Sequence, residues 1–235
     1  MSKPLLQQDE LLPLMQAVPL SGADVLDLGC GIGSLARRIA SETGADSVTA
    51  IDVDAAQIAR ANEKGGGVRY LTGAAEALPL PDASIDVVVM MKSLHHVPIS
   101  QMDAAFAELA RVLRPDGQIY ICEPEYAGPF NDILRLFHDE GIVRAAALDA
   151  IKRASTGEFK IIETIDYIRI VNFSNLDDFR KRMMGMPWLK NKITPVIEAE
   201  VAAAWKDYSV TDGSAALSSR MLVSVLQKDQ RRNEL

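Results

Sequence analysis

A short apolar run, Val25-Leu26-Asp27-Leu28, meets a cluster of glycines at Gly29, Gly31 and Gly33 and continues at once as Leu35-Ala36-Arg37-Arg38-Ile39-Ala40 with helical spacing. That order predicts strand, sharp turn and helix. Without a Cβ, a glycine turn lets the backbone approach a ligand while the next helix starts. The same turn can serve only as a compact α/β corner, because glycine spacing alone is a weak signal. Two acids add to it. Asp27 lies in an apolar strand, where a carboxylate without a partner is costly. Asp52 closes the next apolar run, Val48-Thr49-Ala50-Ile51, at the distance of an acid that binds a ribose at the tip of a second strand. Together they describe a nucleoside site.

The spacing of the glycines separates two kinds of nucleoside. A dinucleotide fold uses G-x-G-x-x-G and leaves room for a pyrophosphate; here the pattern is G-x-G-x-G. A carboxylate at position 27 repels a pyrophosphate and suits the ammonium of a bound amino acid. Four stretches in order, Val25–Gly33, Asp52, Leu71–Val88 and Ala110–Gly117, resemble successive motifs of the class I S-adenosylmethionine (SAM) methyltransferases, in the branch of ubiquinone/menaquinone-biosynthesis-type small-molecule enzymes. The likeness covers roughly residues 20–125.

The resemblance implies an α/β fold, a doubly wound, mostly parallel seven-stranded Rossmann-like sheet with a helical lid. It implies a single domain over residues 1–235. Within it, residues 20–125 form the SAM-binding core, 126–160 and 174–212 the lid, and 161–173 and 217–227 the terminal strands, expected to be an antiparallel edge pair. Asp27, Gly29, Gly31 and Gly33 would hold the methionine end, Asp52 the ribose diol, Val53 one adenine face, and Ala75 with Glu76 the base edge. Met91 opens the loop beside the sulfonium methyl. Relatives carry an aspartate after the glycine of the third strand's loop; this chain has Ala74 after Gly73. The expected activity is direct methyl transfer from SAM to a small-molecule acceptor, leaving S-adenosylhomocysteine (SAH). A non-catalytic SAM-binding module and an NAD-dependent oxidoreductase are the alternatives.

A net charge of −7 and a pI near 5.1 argue against a nucleic-acid partner. No apolar run has the length of a membrane span. Two cysteines, Cys30 and Cys122, without a secretory signal, suggest reduced thiols in a cytoplasmic protein. Only three histidines are present and the cysteines lack ligand spacing to them, so no metal site is expected. A homodimer is compatible with the sequence.

Along the chain, residues 8–18 predict a short N-terminal helix interrupted by Pro13. Asp54 caps a helix running to Lys64, with Ile58, Ala59 and Asn62 on one face. Val68–Leu71, Ile85–Met90 and Gln118–Glu123 read as strands, and Ile99–Leu113 as an amphipathic helix capped by Ser100 and stopped at Arg114-Pro115-Asp116-Gly117. His95 and His96 follow the fourth strand at its carboxyl end, where ligands of open α/β sheets gather. An imidazole titrates near neutrality, so either is a candidate general base, and one of the pair can equally pack beneath the loop. Glu123, Glu125 and Tyr126 fall on the same rim. Asn131–Arg153 and Asn175–Tyr208, the latter rich in Met183, Met184, Met186, Pro187 and Trp188, are expected to cover the acceptor. His138 reads as a helix-face residue, and 229–235 as a charged tail.

Overall fold

The computed structural model describes residues 5–186, 189 and 191–229. In chain order it contains β1 (Leu5–Leu6), α1 (Leu11–Ala17), β2 (Asp24–Leu28), α2 (Ser34–Glu42), β3 (Ser47–Asp52), α3 (Ala55–Lys64), β4 (Arg69–Thr72), β5 (Ile85–Met91), α4 (Met102–Val112), β6 (Leu113–Pro124), α5 (Pro129–Leu134), α6 (Gly141–Ser155), β7 (Phe159–Phe173), α7 (Leu176–Phe179), α8 (Pro195–Lys206) and β8 (Ala215–Lys228). The residues group into two compact units.

The larger unit comprises Asp9–Glu123, Ala145–Ile165 and residues from 222 onward. Its strands belong to an eight-stranded sheet of order β1-β7-β8-β6-β5-β2-β3-β4. From β6 to β4 every neighbour is parallel. β2 is flanked by β3 on one side and β5 on the other, so the winding reverses there, at the point where open α/β sheets bind ligands beyond their carboxyl ends. Val25, Leu26, Val88, Val89 and Met90 are almost wholly buried, as strands covered on both faces must be. The core on one side joins Leu26, Val88, Ile119, Leu109, Phe106 and Ile151.

Local sequence explains most of the elements. Asp54 accepts hydrogen bonds from the amides of Ala56 and Gln57, which caps α3 as expected. The buried face of α3 is Ile58 and Ala61; Ala59 and Asn62 are exposed, a correction of one position in the helical phase. Pro13 does not interrupt α1. It stands in the first turn, where amide groups have no intrahelical acceptor and a missing N–H costs nothing. Ser100 is no cap: residues 99–101 form a 3₁₀ turn, and α4 starts at Met102 without a side-chain cap. The expected stop at Arg114 is also the beginning of β6, whose first residue Leu113 follows α4 directly, with Asp116 at φ +63° making the bend.

α4 also braces the loop after β4. Glu108 accepts the Leu78 amide at 2.8 Å, while Arg111 donates to the carbonyls of Leu78 and Leu80 and to Asp82. Charge-assisted bonds of this kind hold a loop that has little secondary structure of its own.

The smaller unit comprises residues up to Gln8, Pro124–Arg144 and Asp166–Met221. Here the two-residue β1, not foreseen in the sequence, pairs in parallel with β7 at Tyr167 and Ile168. Phe137, Phe173, Phe179 and Trp205 form its aromatic centre, with ring centroids 5.1–6.1 Å apart. The segment expected to be helical over 175–208 is broken: α7 is one turn, Arg180–Met184 is π-helical, and α8 begins only at Pro195. Met184 joins the apolar core of this unit. Pro187 and Trp188 lie outside the described residues, as do 230–235 of the tail. His138 Nε2 lies 3.0 Å from the buried Glu140, which also pairs with Arg144.

Candidate active site

A cleft of about 560 Å³ opens at the carboxyl ends of β2, β3 and β5 in the larger unit. Among its walls are Gly29, Gly31, Asp52, Val53, Ala75, Glu76 and His96. Seven of the residues singled out in the sequence therefore face one space. Asp27, Gly33, Met91 and His95 do not line it.

The glycine loop is bound to the end of β3. The amides of Gly29 and Cys30 donate to the carbonyl of Ile51, and the amide of Gly31 donates to Asp52 Oδ2 at 2.8 Å. Asp52 Oδ1 accepts the Asp54 amide at 2.9 Å, so both carboxylate oxygens are oriented before a ligand arrives. Two glycines are required by their neighbours. Gly29 stands at φ +80° with a Cβ there falling on the Ser93 side chain, and Gly33, at φ +69°, would place one 2.5 Å from the Tyr70 ring. Gly33 thus serves packing, while Gly29 and Gly31 reach the cleft.

Val53 is 70% exposed at the rim, an apolar side chain well placed to lie against a flat ring. Ala75 and Glu76 stand on the braced loop after β4. Ala74, where relatives carry an aspartate, forms an isolated bridge with Ala77 that shapes the same loop through backbone groups.

The two histidines have separate situations. His95 is buried, and its Nδ1 meets Glu123 Oε2; the other Glu123 oxygen accepts the Leu94 amide at 2.9 Å and the His95 amide at 3.4 Å. His95 and Glu123 therefore fasten the loop from below. His96 is exposed and lines the cleft, with its ring centroid 4.1 Å from that of His95.

Sequence reasoning did not assign Gln57, Met90, Lys92, Ser93, Val97 and Pro98, which also line the cleft. Ser93 donates to the Leu28 carbonyl at 2.7 Å. Lys92 adopts φ +58°, a conformation that costs a non-glycine residue about 1–2 kcal/mol. Its position directly after an apolar central strand was the available signal.

Residues 25–117 match the model of a methyltransferase domain. Over 127 residues the chain is 35% identical to the ubiquinone/menaquinone biosynthesis C-methyltransferase UbiE of Shewanella pealeana, covering 50% of this chain and 48% of that one. Over that stretch the chain is similar to methyltransferase domains. It is also 35% identical over 144 residues to the 27-O-demethylrifamycin SV methyltransferase of Amycolatopsis mediterranei, covering 56% of this chain and 52% of that relative. The chain thus spans about half the length of the curated relatives it matches. A crystal structure described as that of a methyltransferase from Bacillus halodurans C-125 superposes with a TM-score of 0.66 at 20% identity, over 94% of this chain and 99% of that one. The fold is therefore shared well beyond the matched motifs.

The state of Asp27 bears on the kind of ligand the glycine loop can take. It is buried, accepts the Ala36 amide, and has one carboxylate oxygen, Oδ2, with no hydrogen-bond partner among the described residues. Burial, with a smaller contribution from the charge on Asp52, lifts its pKa to about 7. An unsatisfied buried acceptor of this kind suits a cationic donor. Burial also raises the neighbouring Cys30 thiol to about 12, so it stays a thiol at neutral pH.

A pH dependence follows for the protein without ligand. Below pH 4 Asp27 is protonated whether the chain is folded or not. Between about pH 4 and 7 the unfolded chain releases the proton and the folded chain keeps it, so stability falls as pH rises through that window and levels off above it. Asp27→Asn is expected to lack this fall. Melting temperatures of both proteins at pH 5 and pH 8 check it, and parallel curves would refute it.

Proposed function

We propose that this protein is a SAM-dependent methyltransferase acting on a small-molecule acceptor. The observation that carries the proposal is the cleft at the strand switch point, where an oriented Asp52 carboxylate, a glycine loop and an exposed Val53 stand together. The residues of the cleft fit SAM, with Gly29 and Gly31 for close backbone approach, Asp52 for the ribose diol, Val53 for the adenine face, and Ala75 with Glu76 for the base edge; Asp27, which does not line the cleft, is assigned to the methionine end on its unsatisfied oxygen. Gly33 acts from behind, by leaving room for the Tyr70 ring at the start of α2. When bound, SAM supplies an electrophilic methyl that passes by direct displacement to the acceptor, leaving SAH.

The chain's own residues then align and dehydrate the reactants. His96, at the cleft wall, is placed to take a proton from an acceptor that must lose one. His95, pinned by Glu123, keeps His96 in place instead of reacting. The names of the curated relatives, a ubiquinone/menaquinone biosynthesis C-methyltransferase and a 27-O-demethylrifamycin SV methyltransferase, support a small-molecule acceptor.

Calorimetric titration with SAM, SAH and NAD tests the proposal. Micromolar or tighter binding of SAM and SAH with no binding of NAD is expected. Preference for NAD would replace the proposal with an oxidoreductase. SAM binding without methyl transfer to any acceptor of a broad small-molecule panel would leave a binding module.

A further inference from the structure

The walls of the cleft divide by charge. On the β3 and β4 side stand the acids Asp52 and Glu76, with Gln57, Val53 and Ala75. At the end of β5 stand Lys92, Ser93 and His96, beside apolar Met90, Val97 and Pro98. Among the described residues that line the cleft, Lys92 is the one lysine or arginine.

Its position is held from two directions. The backbone amide donates to the Cys122 carbonyl at 2.8 Å, with φ at +58°. The ammonium lies 2.7 and 2.8 Å from the two oxygens of Glu10, the residue just before α1. The Lys92 side chain is 30% exposed and that of Glu10 21%, so the pair is partly but not freely solvated, and Lys92 itself lines the cleft. A left-handed lysine persists only where the surroundings over-determine it, and such strain gathers at functional positions. A lysine ammonium is a point charge with three donors on a flexible stem, and it can exchange one carboxylate for another anion.

We propose that Lys92 selects an acceptor that carries an anionic oxygen next to an apolar body, and that Glu10 holds the lysine in place until that anion arrives. The proposal rests on the methyltransferase reading of the same cleft and names the acceptor class that it would take. An anion at this end meets Lys92, with Met90, Val97 and Pro98 to cover its apolar part. A protonated amine at the same place meets like charge. The anion is either an ionised hydroxyl, which would itself be the nucleophile, or a carboxylate that anchors the acceptor.

Ligand-observed NMR titration of the full chain saturated with SAH, using benzoate, 4-nitrophenolate, benzamide and benzylamine as probes, tests this. At least one anion is expected to bind tenfold or more tightly than benzamide and benzylamine. Benzoate alone would mark an anchoring carboxylate, and 4-nitrophenolate alone an ionised hydroxyl. Lys92→Asn, a residue type at ease in left-handed backbone, should abolish the preference, and Lys92→Arg should restore most of it. Glu10→Gln should tighten anion binding severalfold, because it removes the competing carboxylate; a merely structural ion pair would show no such gain. Equal binding of the neutral probes, no binding of either anion, or an unchanged preference in Lys92→Asn overturns the proposal. SAH binding is read first in the same samples. Its failure counts against the cofactor reading alone, and the anion series is then read on the protein by itself.

Discussion

Asp52→Ala is expected to weaken SAM and SAH binding about a hundredfold while the chain stays folded. Each hydrogen bond to a charged group contributes about 1.5–3 kcal/mol, and tenfold in affinity is about 1.4 kcal/mol. The carboxylate has two tasks. In the proposed function it offers the ribose diol its acceptor; in the structure it holds the amides of Gly31 and Asp54, so its removal also frees the turn on which the methionine end would lie. Asp52→Asn separates the tasks. It keeps one acceptor oxygen and loses the charge, and it should cost about tenfold. Calorimetry with SAH measures both variants. Wild-type affinity in Asp52→Ala would remove the ribose from the end of β3.

The second large effect concerns stability. Glu123 is 1% exposed and satisfies the Leu94 amide, the His95 amide and the His95 ring. Glu123→Leu removes the acceptor of these buried groups, at about 1–3 kcal/mol for each group left unsatisfied. For a chain of this size the melting temperature should fall by roughly 10 °C. Glu123→Gln retains one acceptor oxygen and should lose about half as much. Thermal unfolding of the two variants decides the matter. A fall of only a degree or two in both would show that the loop is held by packing of Leu94 and not by the carboxylate.

The glycine loop and Asp52 of the candidate site were legible in the sequence because that part of it is local. A β-turn-α unit is written in consecutive residues, so Val25–Gly33 and Asp52 located the switch point before any tertiary contact was known. The histidine pair shows where reading stops. Two adjacent imidazoles are chemically alike in sequence, and only the burial of His95 against Glu123, 28 positions away, assigns one to support and the other to the cleft. Lys92 was passed over for a similar reason. Its partner Glu10 lies 82 residues away, and its left-handed backbone leaves no mark on residue type. The broken segment over 175–208 was hidden because methionine and alanine satisfy helical patterning whether or not the chain stays helical.

The contacts of Gly29 with Ser93 and of Gly33 with Tyr70 bear on how such a site can change over generations. Each glycine is locked to a neighbour that lies far off in sequence, so the first step toward a wider, phosphate-accepting turn is harmful unless the neighbour shrinks in the same lineage. A library that varies residues 29–33 alone should yield almost only nonfunctional clones. One that varies positions 70 and 93 together with them should open routes closed to single substitutions, with the order of the changes deciding which lineages survive.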